Sequence, residues 1–139
     1  MRYLIAVLAL AGVVVSMLAL QVHYSTATEP CSINARWDCG VVNHSPFAMI
    51  GHVPVAVLGI AGYLLLGALA WARWRFVLVL VAFAGFCFAL RLTFIEEYVL
   101  QVWCLYCVIS QGIITLLTLL SVGWLGLAYL KLKHNIDPA

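Results

Sequence analysis

The chain has 139 residues, of which 66% are hydrophobic and only 9% are charged, and its formal net charge is +2. Soluble domains are about half apolar and about a quarter charged, so this composition excludes an ordinary soluble fold, which needs more charged side chains on its surface. The small and dispersed charge argues against a nucleic-acid partner, whereas the mean hydropathy of +1.12 indicates a protein surrounded by membrane lipids.

Four apolar stretches are long enough to cross a bilayer, whose hydrocarbon core of about 30 Å requires roughly 20 helical residues. They run over about 3–22, 53–71, 76–95 and 104–130. The first is longer than the core of a secretory signal, about 7–15 residues, so we expect it to be retained as a helix. The sequence predicts an all-α integral membrane four-helix bundle, with residues 1–139 forming a single membrane domain.

Charges at the ends of these stretches predict the orientation of the bundle. The basic residues fall on one side: Arg2, Arg73, Arg75, Lys131 and Lys133. The other side carries Arg36 and mostly acids: Glu29, Asp38, Glu96 and Glu97. Because basic residues favour the cytoplasmic side, we expect both termini in the cytoplasm and the loops 23–52 and 96–103 outside.

The outer loop 23–52 is the only sizeable polar segment, and it contains Cys31 and Cys39. A disulfide between them is sterically allowed if their Cα atoms come within about 7 Å. Such a bond is either a permanent staple of the loop or a redox-active pair, and outside the cytoplasmic membrane of a bacterium disulfides form and persist. The residues alone leave both readings open.

The same loop is predicted to contain a short helix that lies in the headgroup plane. Ser45 is suited to cap a helix start, Pro46 suits the first helical position, and Gly51 suits the stop. The apolar letters "FAMI" between them favour contact with the membrane interface.

The third stretch contains Cys87 near its middle and Arg91 one turn further outward. An unpaired buried cysteine behaves as a small hydrophobe, so we place Cys87 outside the chemistry. Arg91 is expected to reach the interface or to meet Glu96.

The fourth stretch opens on "WCLYC", in which Cys104 and Cys107 share one helix face. A helix N-terminus stabilises a thiolate, which is the nucleophile of dithiol redox chemistry. The same face continues through Gln111, a candidate for lining a ligand site, and then through Thr115 and Thr118, which we interpret as packing residues.

Other readings of this pair are a zinc site and a non-catalytic scaffold with two structural disulfides. Zinc needs four ligands, and no histidine lies at a compact spacing from a cysteine, so no metal is expected. The scaffold predicts neither exchange with a partner nor reduction of a quinone.

The ordered combination of four spans, C-x7-C in the outer loop, Ser45 six residues after Cys39, and CxxC at the fourth span resembles the vitamin K epoxide reductase family. The letters "VNHSPFAMIGHVPVAVLGIAGY" and "EEYVLQVWCLYC" are most similar to its bacterial branch. DsbB-like oxidases, the other quinone-coupled type with four spans, have the two cysteine pairs in the reverse order.

The resemblance implies a quinone-coupled enzyme of the bacterial cytoplasmic membrane that reoxidises a thioredoxin-like extracytoplasmic protein and so supports disulfide formation. By position, Cys31 would meet that partner and Cys39 would exchange with Cys104. Cys107 would then face the quinone, and Ser45 would donate a hydrogen bond to a quinone carbonyl.

Two departures from the animal members point to the acceptor. Gln111 stands where they have a tyrosine, and Val55 stands where they have an asparagine when Gly59 and Tyr63 are aligned. We therefore expect a respiratory quinone of the ubiquinone or menaquinone type instead of an epoxide. Because the chain stops at "KLKHNIDPA", the thioredoxin-like partner is expected to be a separate protein.

Overall fold

The computed structural model describes residues 1–24 and 34–137. Its elements, in chain order, are α1 (Arg2–Tyr24), α2 (Cys39–Asn43), a 3-10 turn (Pro46–Ala48), β1 (Met49–Ile50), β2 (Val53–Pro54), α3 (Val55–Ala72), α4 (Arg75–Ile95), a π-helical turn (Glu96–Leu100) and α5 (Leu105–Ile136).

Four helices, α1, α3, α4 with its π turn, and α5, are long and apolar enough to cross a membrane, which confirms the predicted all-α membrane bundle. They pack as a closed ring in which α1 and α4 each contact both α3 and α5. The α1–α3 interface is the most extensive of the four, and the α3–α4 interface is the sparsest. The ring is therefore weakest between α3 and α4.

Small residues allow α1 and α3 to approach closely. The Tyr63 ring lies directly over Gly12, where a Cβ atom would overlap it, and a Cβ at Gly59 would stand 2.8 Å from Ser16 Oγ. Close backbone approach at small residues is a main source of attraction between helices in lipid, where no hydrophobic effect drives them together.

A buried apolar cluster, called the main core here, joins the four long helices. Its members are Ile5, Tyr63, Leu66, Leu69, Ala70, Leu78, Ala82, Ile114 and Leu117. Large apolar side chains such as Phe83 and Leu119 are exposed on the outside of the ring, as lipid contact requires. Cys87 also lies on this exterior, so it is not the buried residue that the sequence suggested.

The short helices of the loop differ from the prediction. One α-helical turn, α2, begins at Cys39 because Asp38 Oδ1 accepts hydrogen bonds from Gly40 N and Val41 N. The 3-10 turn does begin at Pro46, but it ends at Ala48, and Gly51 with φ 62° lies in the tight turn of the β1–β2 hairpin instead of at a helix end.

Ser45 does not cap the 3-10 turn as predicted. Its hydroxyl donates to Val42 O at 2.7 Å, so it bonds backwards to α2. A turn of only three residues offers few free N–H groups to cap, whereas the last carbonyls of α2 are open to a donor.

Candidate redox site

The CxxC motif lies where the last long helix begins. Cys104 occupies the position before the first helical residue, with extended backbone angles, and Cys107 lies in the first turn of α5. Both are free thiols, Cys104 buried and Cys107 partly buried. The free N–H groups of this first turn place partial positive charge near the thiols.

Cys39, at the start of α2, lies in the same buried cluster as Cys104. This cysteine cluster consists of Val22, Cys39, Val42 and Cys104. The Asn43 amide spans the two cysteines, because Nδ2 donates to Cys39 O at 2.9 Å and to Cys104 Sγ at 3.5 Å. Cys39 is disulfide-bonded, and Cys31 lies outside the described residues.

Backbone pairing fastens the loop to the segment that precedes α5. Trp37 and Trp103 form an isolated parallel bridge, in which Asp38 N donates to Trp103 O at 3.0 Å and Trp103 N donates to Arg36 O at 2.6 Å. The two indole rings lie 6.1 Å apart between centroids. This bridge sets Cys39, two residues after Trp37, beside Cys104, one residue after Trp103.

Glu96 is part of the site, although the sequence placed it only among the acids of the outer side. It begins the π turn and is 3% exposed, and its Oε2 accepts a hydrogen bond from Cys104 N at 3.2 Å. Its carboxyl group also faces the Cys107 thiol at hydrogen-bonding range. Arg91 is exposed and, within the described residues, forms no ion pair with Glu96.

Two features of local structure accompany the inward position of Glu96. The π turn adds a residue to the helical repeat, which shifts the face that each following side chain occupies, and such turns are frequent at functional sites. Gln101 then adopts a left-handed conformation with φ 55°, which ends the helix and leads the chain back toward α5. The sequence contained one signal for Glu96, an acidic residue eight positions before Cys104. Because the neighbouring Glu97 is also acidic, that signal did not show which of the two belongs to the site.

The environment of Cys104 favours its thiolate. A hydrogen bond from the Cys107 thiol lowers the pKa of Cys104, and the Cys107 backbone N–H and the Asn43 amide act in the same direction. Burial and the nearby Glu96 charge oppose this effect without reversing it. Cys104 is therefore suited to thiol–disulfide exchange.

An apolar cavity of about 360 Å³ opens beside Cys107 and is lined by all four long helices and the outer loop. Such a volume and lining, with a few convergent polar groups, are typical of small-molecule sites. The polar or titratable lining groups are Ser16, Asn43, Ser45, Tyr63, Thr93, Glu96, Tyr106, Cys107 and Ser110. Small residues of α3 and α4, such as Gly59, Gly62 and Gly85, line it where the ring is weakest.

The structure brings some predicted site residues together and separates others. Ser45 and Cys107 both line the cavity, whereas Gln111 does not. Gln111 instead contacts Thr93 of α4 and Thr115 of its own helix, each at 3.4 Å. A residue that the sequence did not select, Ser110, lines the cavity one turn after Cys107, and Tyr63 bonds to its hydroxyl at 2.7 Å.

Within residues 1–24 and 34–137, no three histidine, cysteine or acidic side chains form a group that could hold a metal ion. The arrangement of Cys39, Cys104 and Cys107 instead suits transfer of electrons between sulfur atoms.

Comparison with protein-family models gives a match. The model of the family described as "Vitamin K epoxide reductase family" matches residues 3–122, which is most of the chain and includes both cysteine pairs. No curated protein matches the chain.

Proposed function

The chain belongs to the vitamin K epoxide reductase family, whose members are membrane oxidoreductases that act with quinones, and we propose that this one reoxidises a thioredoxin-like protein outside the cytoplasmic membrane. The electrons pass through its two cysteine pairs to a quinone of the ubiquinone or menaquinone type. The family match confirms the resemblance drawn from the motifs. The partner, the quinone type and the path of the electrons are our proposals.

One observation supports this function above the others. Cys39 of the loop and Cys104 of α5 lie in one buried cluster, and Cys107, one turn further on, lines an apolar cavity. An electron path from an outer disulfide to a membrane-soluble acceptor requires this order of sulfur atoms. Two unrelated structural disulfides do not require it.

The first transfer takes place at the loop pair. A thiolate of the reduced partner attacks Cys31 in the Cys31–Cys39 disulfide, which gives a mixed disulfide and frees Cys39. The second partner thiol then closes the partner's own disulfide and releases Cys31. Two electrons and two protons have moved, and both loop cysteines are thiols.

The second transfer joins the two pairs. The Cys39 thiolate attacks Cys104 in the Cys104–Cys107 disulfide, and Cys107 departs as the leaving thiolate. Cys31 then resolves the Cys39–Cys104 bond, which restores the loop disulfide and leaves Cys104 and Cys107 reduced. The thiolate that the site favours at Cys104 makes this sulfur a good leaving group in the resolving step.

The third transfer oxidises the helix pair, and the cavity fits the ring of a quinone in volume and in its mainly apolar lining. When bound, a quinone supplies an acceptor for two electrons and two protons. Cys107 lines the cavity and gives up the electrons, while Cys104 closes the disulfide with it. Ser45 donates to a quinone carbonyl only after its hydroxyl turns away from Val42 O.

The orientation in the membrane is part of the proposal. We place the chain as a single domain in a bacterial cytoplasmic membrane, with both termini in the cytoplasm. The basic residues at the other end of the bundle, such as Arg73 and Lys131, favour this orientation, and it sets both cysteine pairs in the oxidising compartment. The partner then approaches Cys31 of the loop from outside the membrane.

The deciding experiment is anaerobic. Purified protein is mixed with a reduced thioredoxin-like protein and either ubiquinone or menaquinone, and the quinone absorbance is followed. We expect reduction of at least one quinone that depends on both proteins. Reduction of neither quinone, together with no disulfide exchange with the partner, would favour the scaffold reading instead.

Two variants separate the cysteine roles. Cys31→Ala is expected to stop oxidation of the partner while a small dithiol still drives quinone reduction, and an unchanged partner rate would refute the shuttle role. Cys107→Ser is expected to accumulate a Cys39–Cys104 disulfide, which peptide mapping detects.

A further inference from the structure

Glu96 carries a buried carboxyl group that packing alone does not explain. It is 3% exposed, and the ion pair among the described residues joins Arg36 to the neighbouring Glu97 at 3.6 Å, so no cation there neutralises Glu96. A carboxylate without a cationic partner is costly to bury at the edge of a membrane, and acids in such places usually have a function.

The contacts of Glu96 place it between the sulfur atoms and the cavity. One oxygen accepts the Cys104 N–H at 3.2 Å, and the carboxyl group faces the Cys107 thiol. The same side chain lines the cavity together with Cys107. One carboxyl group thus reaches the thiol that is oxidised and the space in which the quinone fits.

We propose that the Glu96 carboxylate takes the proton from the Cys107 thiol and delivers it to an oxygen of the quinone as the Cys104–Cys107 disulfide forms. This inference rests on the proposed function. The two cysteines lose two electrons, the S–S bond forms, and the quinone leaves as quinol. Glu96 begins and ends the cycle as a carboxylate. The second proton of the quinol comes from the Cys104 thiol or, where that thiol is already ionised, from solvent.

No other described group is placed as well for this proton. The remaining titratable side chains of the cavity are Tyr63 from α3 and Tyr106 from α5, besides Cys107 itself. Neither α1 nor the described part of the loop contributes a titratable lining residue, and His23, which lies outside the lining, bonds to Asn43 O. Tyrosine hydroxyls are poor bases at neutral pH, since they ionise near pH 10.

The test compares Glu96→Gln with a matched control, Glu97→Gln. Glutamine keeps the size of the side chain and an oxygen for the Cys104 N–H, but it does not carry a proton. Reduced protein without partner is mixed anaerobically with ubiquinone or menaquinone, and single-turnover quinone reduction is measured across pH. We expect Glu96→Gln to be slower by about 100-fold, in the range of general acid–base catalysis, and Glu97→Gln to match the wild type.

A second readout uses the protein without quinone. Alkylation of Cys107 by iodoacetamide, located by mass spectrometry, is expected to become faster in Glu96→Gln, because a neighbouring negative charge no longer opposes the thiolate. Slower quinone reduction together with faster alkylation is the result expected of a proton carrier, because one substitution removes both the base and the charge that opposes the thiolate. Wild-type quinone reduction in Glu96→Gln, or unchanged alkylation, would overturn the inference.

If Glu96→Gln does not fold, the pH profile of quinone reduction tests the inference instead. Wild type and Glu96→Asp both retain a carboxyl group, so in both the rate should fall on the acid side as that group becomes protonated. An acid limb absent from both profiles would overturn the inference. Failure of the wild type to reduce any quinone would instead refute the proposed function.

Discussion

Two hydroxyls in the middle of α5 and the polar side chains around the cysteine cluster use their hydrogen bonds in opposite ways. Ser121 and Thr115 donate to the carbonyls four residues earlier, at 2.6 and 2.7 Å, so each bonds within its own helix. Around the cysteines, Asn43 joins α2 to Cys104, and Cys104 N joins α5 to Glu96 of the π turn.

This difference teaches how to separate packing residues from site residues in a chain that is apolar throughout. A hydroxyl that bonds its own helix is satisfied wherever the helix lies, so it tolerates burial in lipid without holding anything in place. A polar group that bonds between elements fixes the position of both. The polar groups around Cys39 and Cys104 bond in this second way, and so do Tyr63 with Ser110 and Thr118 with Ala82 O within the bundle.

The largest expected effect comes from removing the sulfur beside the cavity. Cys107→Ala should abolish quinone reduction, because no other thiol lines the described cavity. The measurement is the anaerobic quinone absorbance. Cys87→Ala, which changes an exposed cysteine on the outside of the bundle, is the control and should retain the wild-type rate.

Substitutions in the main core should lower the stability of the protein without changing the chemistry of the redox site. Leu117→Ala removes a fully buried side chain and should lower the free energy of unfolding by about 2–5 kcal/mol, while the folded fraction still reduces quinone. Leu119→Ala, two residues away and 65% exposed, is the matched control and should change stability much less. Unfolding in mixed micelles measures both, and equal losses would contradict the assignment of the core.

A smaller effect is expected on the ionisation of Cys104. Because the Cys107 thiol lowers the pKa of Cys104 by donating to its sulfur, Cys107→Ala should move the Cys104 titration to higher pH. At neutral pH the thiolate fraction then falls, since a thiol is ionised only above its pKa. Cys107→Ser retains a donor and should keep most of the effect. Thiolate absorbance in a Cys87→Ala background measures the shift. If Cys104 titrates identically in Cys107→Ala and Cys107→Ser, the hydrogen bond from residue 107 is not what lowers its pKa.

The smallest effect is expected at Ser121. Ser121→Ala removes a hydroxyl that bonds only within α5, so stability should change by less than about 0.6 kcal/mol, the average for hydrogen bonds between helices in a membrane bundle. Quinone reduction should not change. A large loss in the same unfolding assay would mean that self-bonded hydroxyls also hold the bundle together.

The sequence predicted some of the site because spacing alone carries that information. Cys104 and Cys107 were located at the start of a helix by their position before a long apolar run, and α5 does begin at Leu105. The functions of the four paired cysteines stay predictions. The helix expected between Ser45 and Gly51 was wrong in its extent, because a few apolar letters do not distinguish a helix from a 3-10 turn followed by a hairpin.

Composition and hydrophobic run lengths determined the membrane class and the four-helix architecture, because a bilayer permits few ways to satisfy a backbone. Only the tertiary structure decided that Glu96, and not Glu97, turns inward, that the Trp37–Trp103 bridge sets Cys39 beside Cys104, and that Ser110 lines the cavity instead of Gln111. The first two depend on a local departure from regular helix, a π turn or a paired loop, and the third depends on which neighbouring helices face α5. Such features are set by contacts between segments that are distant in the sequence, so the hydrophobic periodicity of the chain does not predict them.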